Sequence, residues 1–344
     1  MSFLRDLAQG STTFDFVGKR VLWFRISAVL VAISLGFLLF RGLNLGIEFR
    51  GGTTINTNNP AGASVPELRE LTDTAGVDGA VIQLIDGGGA VRVQTPALDP
   101  EIESELIGAV ANLTGSERAD VSSTSIGPSF GALILRQSLV ALAAFLVAVA
   151  LFMSWRLEWK MAGAGLAALA HDLIITVGIY SITWFEVTPA TVIALLTILG
   201  YSLYDTVVVF DKVTELVTEL GDRMNYSDIV NRAMNMVLGR SLNTSLTSLL
   251  PVGSVLFVGS FLFGATALRD FALALFVGLA ASTYSSIFVA APLLAIWKEG
   301  DVEWTNRRTR LAARAERSEP GRVPTTGVRP GRRPVRPRPP KGRR

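Results

Sequence analysis

The chain has no cysteine and a single histidine. Without thiols there is no disulfide framework, no thiol nucleophile and no cysteine-based metal site, and one imidazole cannot build a histidine-rich metal centre. Charge is also scarce: 18% of the 344 residues are Asp, Glu, Lys or Arg, against 49% hydrophobic. That balance points away from a soluble domain and towards a multi-spanning membrane protein. No P-loop, nucleophile elbow, zinc motif or nucleotide-binding glycine pattern is present. Gly87-Gly88-Gly89 lies between two strand-like runs and precedes no helix, so it reads as a hairpin turn and not a phosphate cradle. No cofactor is expected and an enzyme is not indicated. Gly18-Lys19-Arg20 precedes the first apolar run, but no small-residue cleavage site follows it, so that run reads as a span and not a signal peptide.

What the chain does have is long apolar runs. A bilayer core needs about 20 mostly apolar residues in helix. Six runs reach that length: Val21 to Phe40, Leu133 to Met153, Met161 to Trp184, Val187 to Phe210, Leu242 to Phe263 and Phe271 to Trp297. Lys19 and Arg20 flank the first, Arg156 and Lys160 lie between the second and third, and Lys212, Arg223 and Arg232 lie between the fourth and fifth. The turns on the other side carry only Glu186 and Arg269, so both termini are expected in the cytoplasm. The division that follows is an N-terminus over 1–20, a first span over 21–40, a domain over 41–131, five further spans within 132–297, and a tail over 298–344. Between the fourth and fifth spans, Ser227 followed by Ile229, Val230, Ala233, Met234 and Val237 predicts a capped amphipathic helix on the membrane interface.

The extracytoplasmic domain reads strand (Asn44 to Asn56), helix (Val65 to Ala75), strand (Ala80 to Ile85), strand (Val91 to Thr95), helix (Pro100 to Leu113) and strand (Ala119 to Ile126). That order, βαββαβ, is the ferredoxin-like arrangement. Its excess of Asp and Glu is either a solvated face or a docking surface for an extracytoplasmic chain. The stretch "LGIEFRGGTTI" reads as the first strand. Within it Gly46, Glu48, Phe49, Gly51 and Gly52 form a motif that mounts the domain on the first span, with the glycine pair as a hinge. From Arg307 onward the tail is almost only Arg, Pro, Gly and small residues, which predicts disorder. Such a tail suits anionic lipid headgroups; ribosomal RNA is the alternative, though nucleic acid is not the expected partner.

Ionisable groups inside spans carry the most information. A charge at a helix centre costs about 2.5–3.5 kcal/mol on insertion scales, so it faces a partner or a watery path. Asp205 lies in the fourth span with Tyr201 and Ser202 one turn earlier, and His171-Asp172 lies midway along the third. Arg240, Asn243, Thr244, Thr247 and Ser248 make a polar stripe on the fifth. A carboxylate, an imidazole and a guanidinium on neighbouring helices make a proton-linked switch, with ionised Asp205 matched by Arg240 or by water. The alternative is a static polar cluster tying helices together. "MAGAGLAALA" and "VGLAASTYSS" supply small residues that let helices approach and slide.

Several ordered motifs resemble one family. "GIEFRGGT", "WRLEWK", "HDLIITVGI", "GYSLYDTVVVFDKV", "LGRSLNTSLTSLLP" and "LRDFALALFVGLAASTYSSIFVAAPLL" are similar to SecF, the smaller subunit of the SecDF complex of bacterial protein export, in the RND superfamily. The resemblance runs from Phe14 to about Trp297. It implies an α-helical polytopic membrane protein, a six-helix half that pairs with SecD beside the SecYEG channel in the plasma membrane. There it would help unfolded preprotein emerge, using proton motive force. It also implies that Asp205 and Arg240 are the family's proton-coupling residues. The sequence departs from the family in having Glu48 where Asp is usual, with Arg50 added, and Leu133 where an acid often precedes the second span. A scaffold subunit without obligatory proton traffic, and a proton-driven small-molecule exporter, are the other readings.

Overall fold

The computed structural model describes residues 12–260 and 266–318. Helix α1 (Arg20–Phe40) leads into β1 (Asn44–Leu45), a one-turn helix α2 (Ile47–Arg50), β2 (Gly52–Asn58), α3 (Val65–Thr74), β3 (Val81–Ile85), β4 (Ala90–Thr95), α4 (Pro100–Thr114) and β5 (Ser122–Ile126). The chain then continues through α5 (Pro128–Arg156), α6 (Trp159–Thr183), β6 (Glu186–Val187), α7 (Pro189–Leu220) and α8 (Tyr226–Ser254), the last extended by a π-helical turn, Val255–Ser260. Helix α9 (Thr266–Ser285), a second π-helical turn (Ser286–Ala290) and α10 (Ala291–Glu299) make one rod, and α11 (Val302–Ser318) follows. Six of these helical rods are long and apolar enough to cross a membrane, and the chain is a multi-pass membrane protein.

In the domain the strand order is β3-β4-β2-β5, antiparallel throughout, which is the ferredoxin-like topology. Helix α3 starts where Ser64 and Glu67 exchange hydrogen bonds in a capping box. Helix α4 stops where Gly115 takes the left-handed conformation. Ile55, Val91 and Val93 from the sheet meet Leu68, Leu106 and Val110 from the helices in a closed apolar core. Leu106→Ala is expected to cost about 2–5 kcal/mol of domain stability. Hydrogen exchange on the full chain would show it as lost protection confined to residues 52–126.

The largest core lies at the other end of the helices. Phe16 and Val17 join Met161, Phe210, Val213, Tyr226, Ile229, Met234, Leu294 and Trp304 there. The N-terminal segment is held to α8 by the amides of Asn231 and Asn235, which bond the backbone of Phe16 and Phe14.

Four expectations change. The run Asn44 to Asn56 is not one strand. Its apolar-charged alternation is matched by a helical turn in which Phe49 buries against α6 and α7 while Ile47 packs beside Gly52 of the sheet. The segment from Ser227 is no separate interfacial helix: Ile229, Val230, Ala233 and Met234 are buried in the bundle core, and one continuous helix capped at Asn225 runs on into the fifth span. The basic stretch from Arg307 is helical to Ser318 and not without structure. Its helix is anchored by Trp304, whose ring meets Tyr226 edge-on at 4.8 Å and lies under the Arg307 guanidinium. The Arg/Pro-rich stretch after 318, and the expected end of the fifth span at Phe263, lie outside the described residues.

The link from α1 to the domain is tied down and not a free hinge. β1 pairs in parallel with β6, Asn44 opposite Glu186 and Leu45 opposite Val187. Arg41 donates to the Ile182 carbonyl and stacks on Trp184, Ser181 donates to the Gly42 carbonyl, and Asn44 donates to the Trp184 carbonyl. These contacts clamp the start of the domain to the turn between α6 and α7.

Candidate functional site

The buried polar residues of the bundle converge on two carboxylates. Asp205 of α7 is buried, and accepts hydrogen bonds from Ser241 of α8 (2.7 Å to Oδ1) and Ser286 of the π-helical turn in the sixth rod (2.7 Å to Oδ2). Asp172 of α6 is fully buried and accepts from Ser202 of α7 (2.7 Å) and Ser285 (2.9 Å), both at Oδ2. His171 Nδ1 lies 3.2 Å from Asp172 Oδ1, and its ring stacks on Tyr284 at 5.8 Å. Tyr284 in turn bonds the Trp23 carbonyl and lies 3.1 Å from the Ser27 hydroxyl of α1. Consecutive residues of one rod, Ser285 and Ser286, thus touch carboxylates on two different helices.

Local sequence explains why these groups meet. Small residues on α6 (Ala164, Gly165, Ala168) let the neighbouring rods come close. The π-helical turn shifts the register of the rod by one residue, and such bulges concentrate at functional sites. Hydroxyl donors stabilise either charge state of a carboxylate cheaply, because each O–H can donate to an anion or accept from an acid. His171 Nε2, Thr206 Oγ1 and Ser282 Oγ are also buried and unpaired by protein, so the core keeps spare hydrogen-bonding capacity. Among the described residues no cluster suited to a metal ion occurs.

Arg240 does not meet Asp205. It is exposed and donates to the Tyr204 hydroxyl at 2.9 Å. The reason is helical phase: Tyr204 and Arg240 point outward while their chain neighbours Asp205 and Ser241 point inward. Asn243 and Thr247 are exposed too, on the outward face of α8 with Leu246 and Leu250. Of the stripe only Thr244 and Ser248 turn partly inward, beside the buried Ser241 and Ser245, with Tyr201 bridging the Thr244 carbonyl and the Ser248 hydroxyl. The sequence expectation therefore placed His171, Asp172 and Asp205 in the cluster and missed Ser241, Ser285 and Ser286. The signal available in the sequence is the pair of serines ending "STYSS", whose small size equally suits close helix packing.

The mounting motif is assembled on the domain side. The Gly46 amide donates to the Val187 carbonyl, Phe49 is buried among Tyr180, Val187, Ala194 and Ala274, and Glu48 is half-buried beside Gly46. Gly51 and Gly52 both have positive φ (79° and 142°). A Cβ on Gly51 would lie 2.5 Å from Pro128 Cα, and one on Gly52 2.4 Å from the Thr95 carbonyl oxygen. Only glycine fits at either place.

Comparison with known proteins agrees with this layout. Residues 107–300 match the family described as "Protein export membrane protein SecD/SecF, C-terminal", and residues 36–56, which span the mount, match the "SecD/SecF GG Motif". The chain is 40% identical to protein translocase subunit SecF of Streptomyces coelicolor, over 92% of this chain and 85% of that one. It is 36% identical to SecF of Mycobacterium tuberculosis, over 93% and 75%. The crystal structure of SecDF, a translocon-associated membrane protein from Thermus thermophilus, superposes with a TM-score of 0.76 at 34% identity. That match covers 84% of this chain and 39% of the longer SecDF chain.

Proposed function

The chain belongs to the SecF family of protein translocase subunits, and from that premise we propose that it drives late steps of preprotein export with the proton motive force. An accessory, non-enzymatic role in Sec translocation and association with SecD come with the family, in which relatives carry both parts on one SecDF chain. Proton use, the bacterial plasma membrane, cytoplasmic termini, and work beside SecYEG on unfolded preprotein are the finer reading.

The observation that carries it is the buried Asp172–Asp205 network inside the spans. Asp205 is held by the hydroxyls of Ser241 and Ser286, and a buried ionised carboxylate is costly without a cation or water. Binding and release of a proton there therefore shifts the energy of the α6, α7 and sixth-rod arrangement. The outward face with Arg240, Asn243 and Thr247 supports SecD as neighbour, because an arginine facing lipid costs about 2.5–3.5 kcal/mol while one facing a second subunit finds partners. The basic stretch beginning at α11 suits anionic lipid on the cytoplasmic surface, at about 1 kcal/mol per basic residue close to it.

The test uses inverted membranes or proteoliposomes carrying SecYEG, SecD and this chain, with a preprotein arrested late. An imposed proton gradient is expected to speed completion, and an ionophore to abolish the gain. Equal rates with and without gradient would leave the scaffold reading.

A further inference from the structure

The second span packs most tightly near its two ends. Of the 29 residues of α5, Gly131, Val149 and Met153 are buried. At the domain end a Cβ on Gly131 would lie 3.0 Å from the Phe49 carbonyl oxygen, and near the other end Met153 fills the space left by Gly165 of α6. Between these contacts α1, α5, α6 and α7 enclose a cavity of about 340 Å³ beneath the mount.

The walls are hydrocarbon: Leu38 of α1, Phe49 of α2, Leu135 and Leu142 of α5, Ile174 of α6 and Leu195 of α7. The hydroxyls of Thr176, Tyr180 and Thr191 border the space but donate to the backbone carbonyls of Asp172, Asp270 and Glu186. Ser138 is the remaining polar lining residue. Water needs two to four polar partners and does not settle in such a place; an apolar cavity of about 150 Å³ already stays dry and admits benzene. Helices α1 and α5 do not pack side by side, and Leu39 and Leu139 on their facing flanks are 81% and 58% exposed. In a chain that spans a membrane, leucines exposed at that depth meet lipid tails.

The rim is cationic. Arg41 lies between the lining residues Leu38 and Leu43, Arg50 follows Phe49 and donates to the Leu43 carbonyl, and Arg136 follows Leu135. All three arginines are exposed, and none is ion-paired among the described residues. Glu48, the acid of the mount, is turned towards Gly46. Along α5 the rise from Arg136 to the exposed Trp155 is about 28 Å at about 1.5 Å per residue, close to the ~30 Å of a bilayer core. Arg136 therefore stands at headgroup level on the domain side.

We propose that this cavity takes one acyl chain of an anionic phospholipid from the leaflet on the domain side, with Arg41, Arg50 and Arg136 around the phosphate. The arginine fork matches phosphate oxygens, and Arg41 and Arg50 each keep N–H groups beyond the one given to a carbonyl. The tail supplies the contacts that α5 lacks in mid-span and so holds it in place between the mount and α7. The site needs only a membrane-spanning chain and no proton traffic. None of its walls belongs to α8, the helix whose outward face is offered to SecD, so lipid and subunit have different surfaces.

The full chain with SecD, isolated in mild detergent, is to be equilibrated with phosphatidylglycerol or phosphatidylcholine and weighed by native mass spectrometry. One phosphatidylglycerol should be retained that is missing from the Ser138→Phe complex, whose cavity a ring fills. Its affinity should exceed that of phosphatidylcholine by more than about tenfold, each arginine near the headgroup contributing about fivefold. Arg50→Gln and Arg136→Gln, at exposed positions, should each weaken it about fivefold, and they decide the matter if Ser138→Phe fails to assemble. Equal retention of the two lipids would overturn the site, as would binding that is unchanged in Ser138→Phe or in both arginine variants. Retention by the chain alone that vanishes in the complex would overturn it too, because SecD would then be what covers the cavity.

Discussion

Asp205→Asn is expected to remove the gradient-dependent part of export while leaving the folded subunit in the membrane. Asn retains a carbonyl oxygen to accept from Ser241 or Ser286, both 2.7 Å from the native carboxylate, and adds no charge. Packing should therefore survive, and comparable subunit levels and melting temperature would show it. What Asn cannot do is bind and release a proton. One proton crossing 100 mV supplies about 2.3 kcal/mol, equivalent to about 50-fold in rate at about 1.36 kcal/mol per tenfold. The gradient-driven gain should thus fall by more than tenfold, towards the unenergised rate. Ser286→Ala should cost less, because Ser241 still bonds Asp205. A scaffold subunit would show neither effect.

Gly52→Ala is expected to give the largest structural loss in the domain. At φ 142° an alanine is strained by about 1–3 kcal/mol, and its methyl would sit 2.4 Å from the Thr95 carbonyl oxygen. Thr95 pairs with Thr53 in the β2–β4 ladder, so relief means parting the central strands. Against a typical domain stability of about 5–15 kcal/mol, a loss of more than about 3 kcal/mol should expose the domain to protease and reduce export with it. Gly36→Ala, in α1 with nothing within 4 Å of the new methyl, is the control and should be neutral. Equal protease resistance of the two variants would contradict the close approach at Gly52.

The sequence carried much of the scaffold, because hydropathy and turn chemistry are local. Six apolar runs of bilayer length and the alternation of Ile55, Val91 and Val93 need no knowledge of neighbours. Asp172 and Asp205 were legible for the same reason: a carboxylate in an apolar run has to be explained wherever it points. What the sequence hid depends on phase and on distant partners. A one-residue step in helical angle decides that Ser241 and not Arg240 meets Asp205, and periodicity resolves a face no more finely than that. Ser285 and Ser286 became recognisable only once a π-helical turn aimed them at two helices. Ile47-Glu48-Phe49-Arg50 alternates like a strand, yet its two apolar residues bury against different bodies.

The position of Asp205 along α7 has an electrical meaning. With about 1.5 Å of rise per residue, the carboxylate lies about 24 Å from the helix start at Pro189 and only about 8 Å from Phe210, where charged residues resume. If the field drops evenly along that length, a proton arriving from the domain side has already crossed about three-quarters of it. About 1.7 kcal/mol of each 2.3 kcal/mol per 100 mV is then released on the inward approach and the remainder on departure. On the proposed proton role, membrane voltage would act mainly as a force that loads Asp205, equivalent to raising the effective proton concentration at the carboxylate by more than tenfold for each 100 mV. Voltage and an external pH drop should accordingly be interchangeable in filling this site, whereas internal pH chiefly sets how readily it empties.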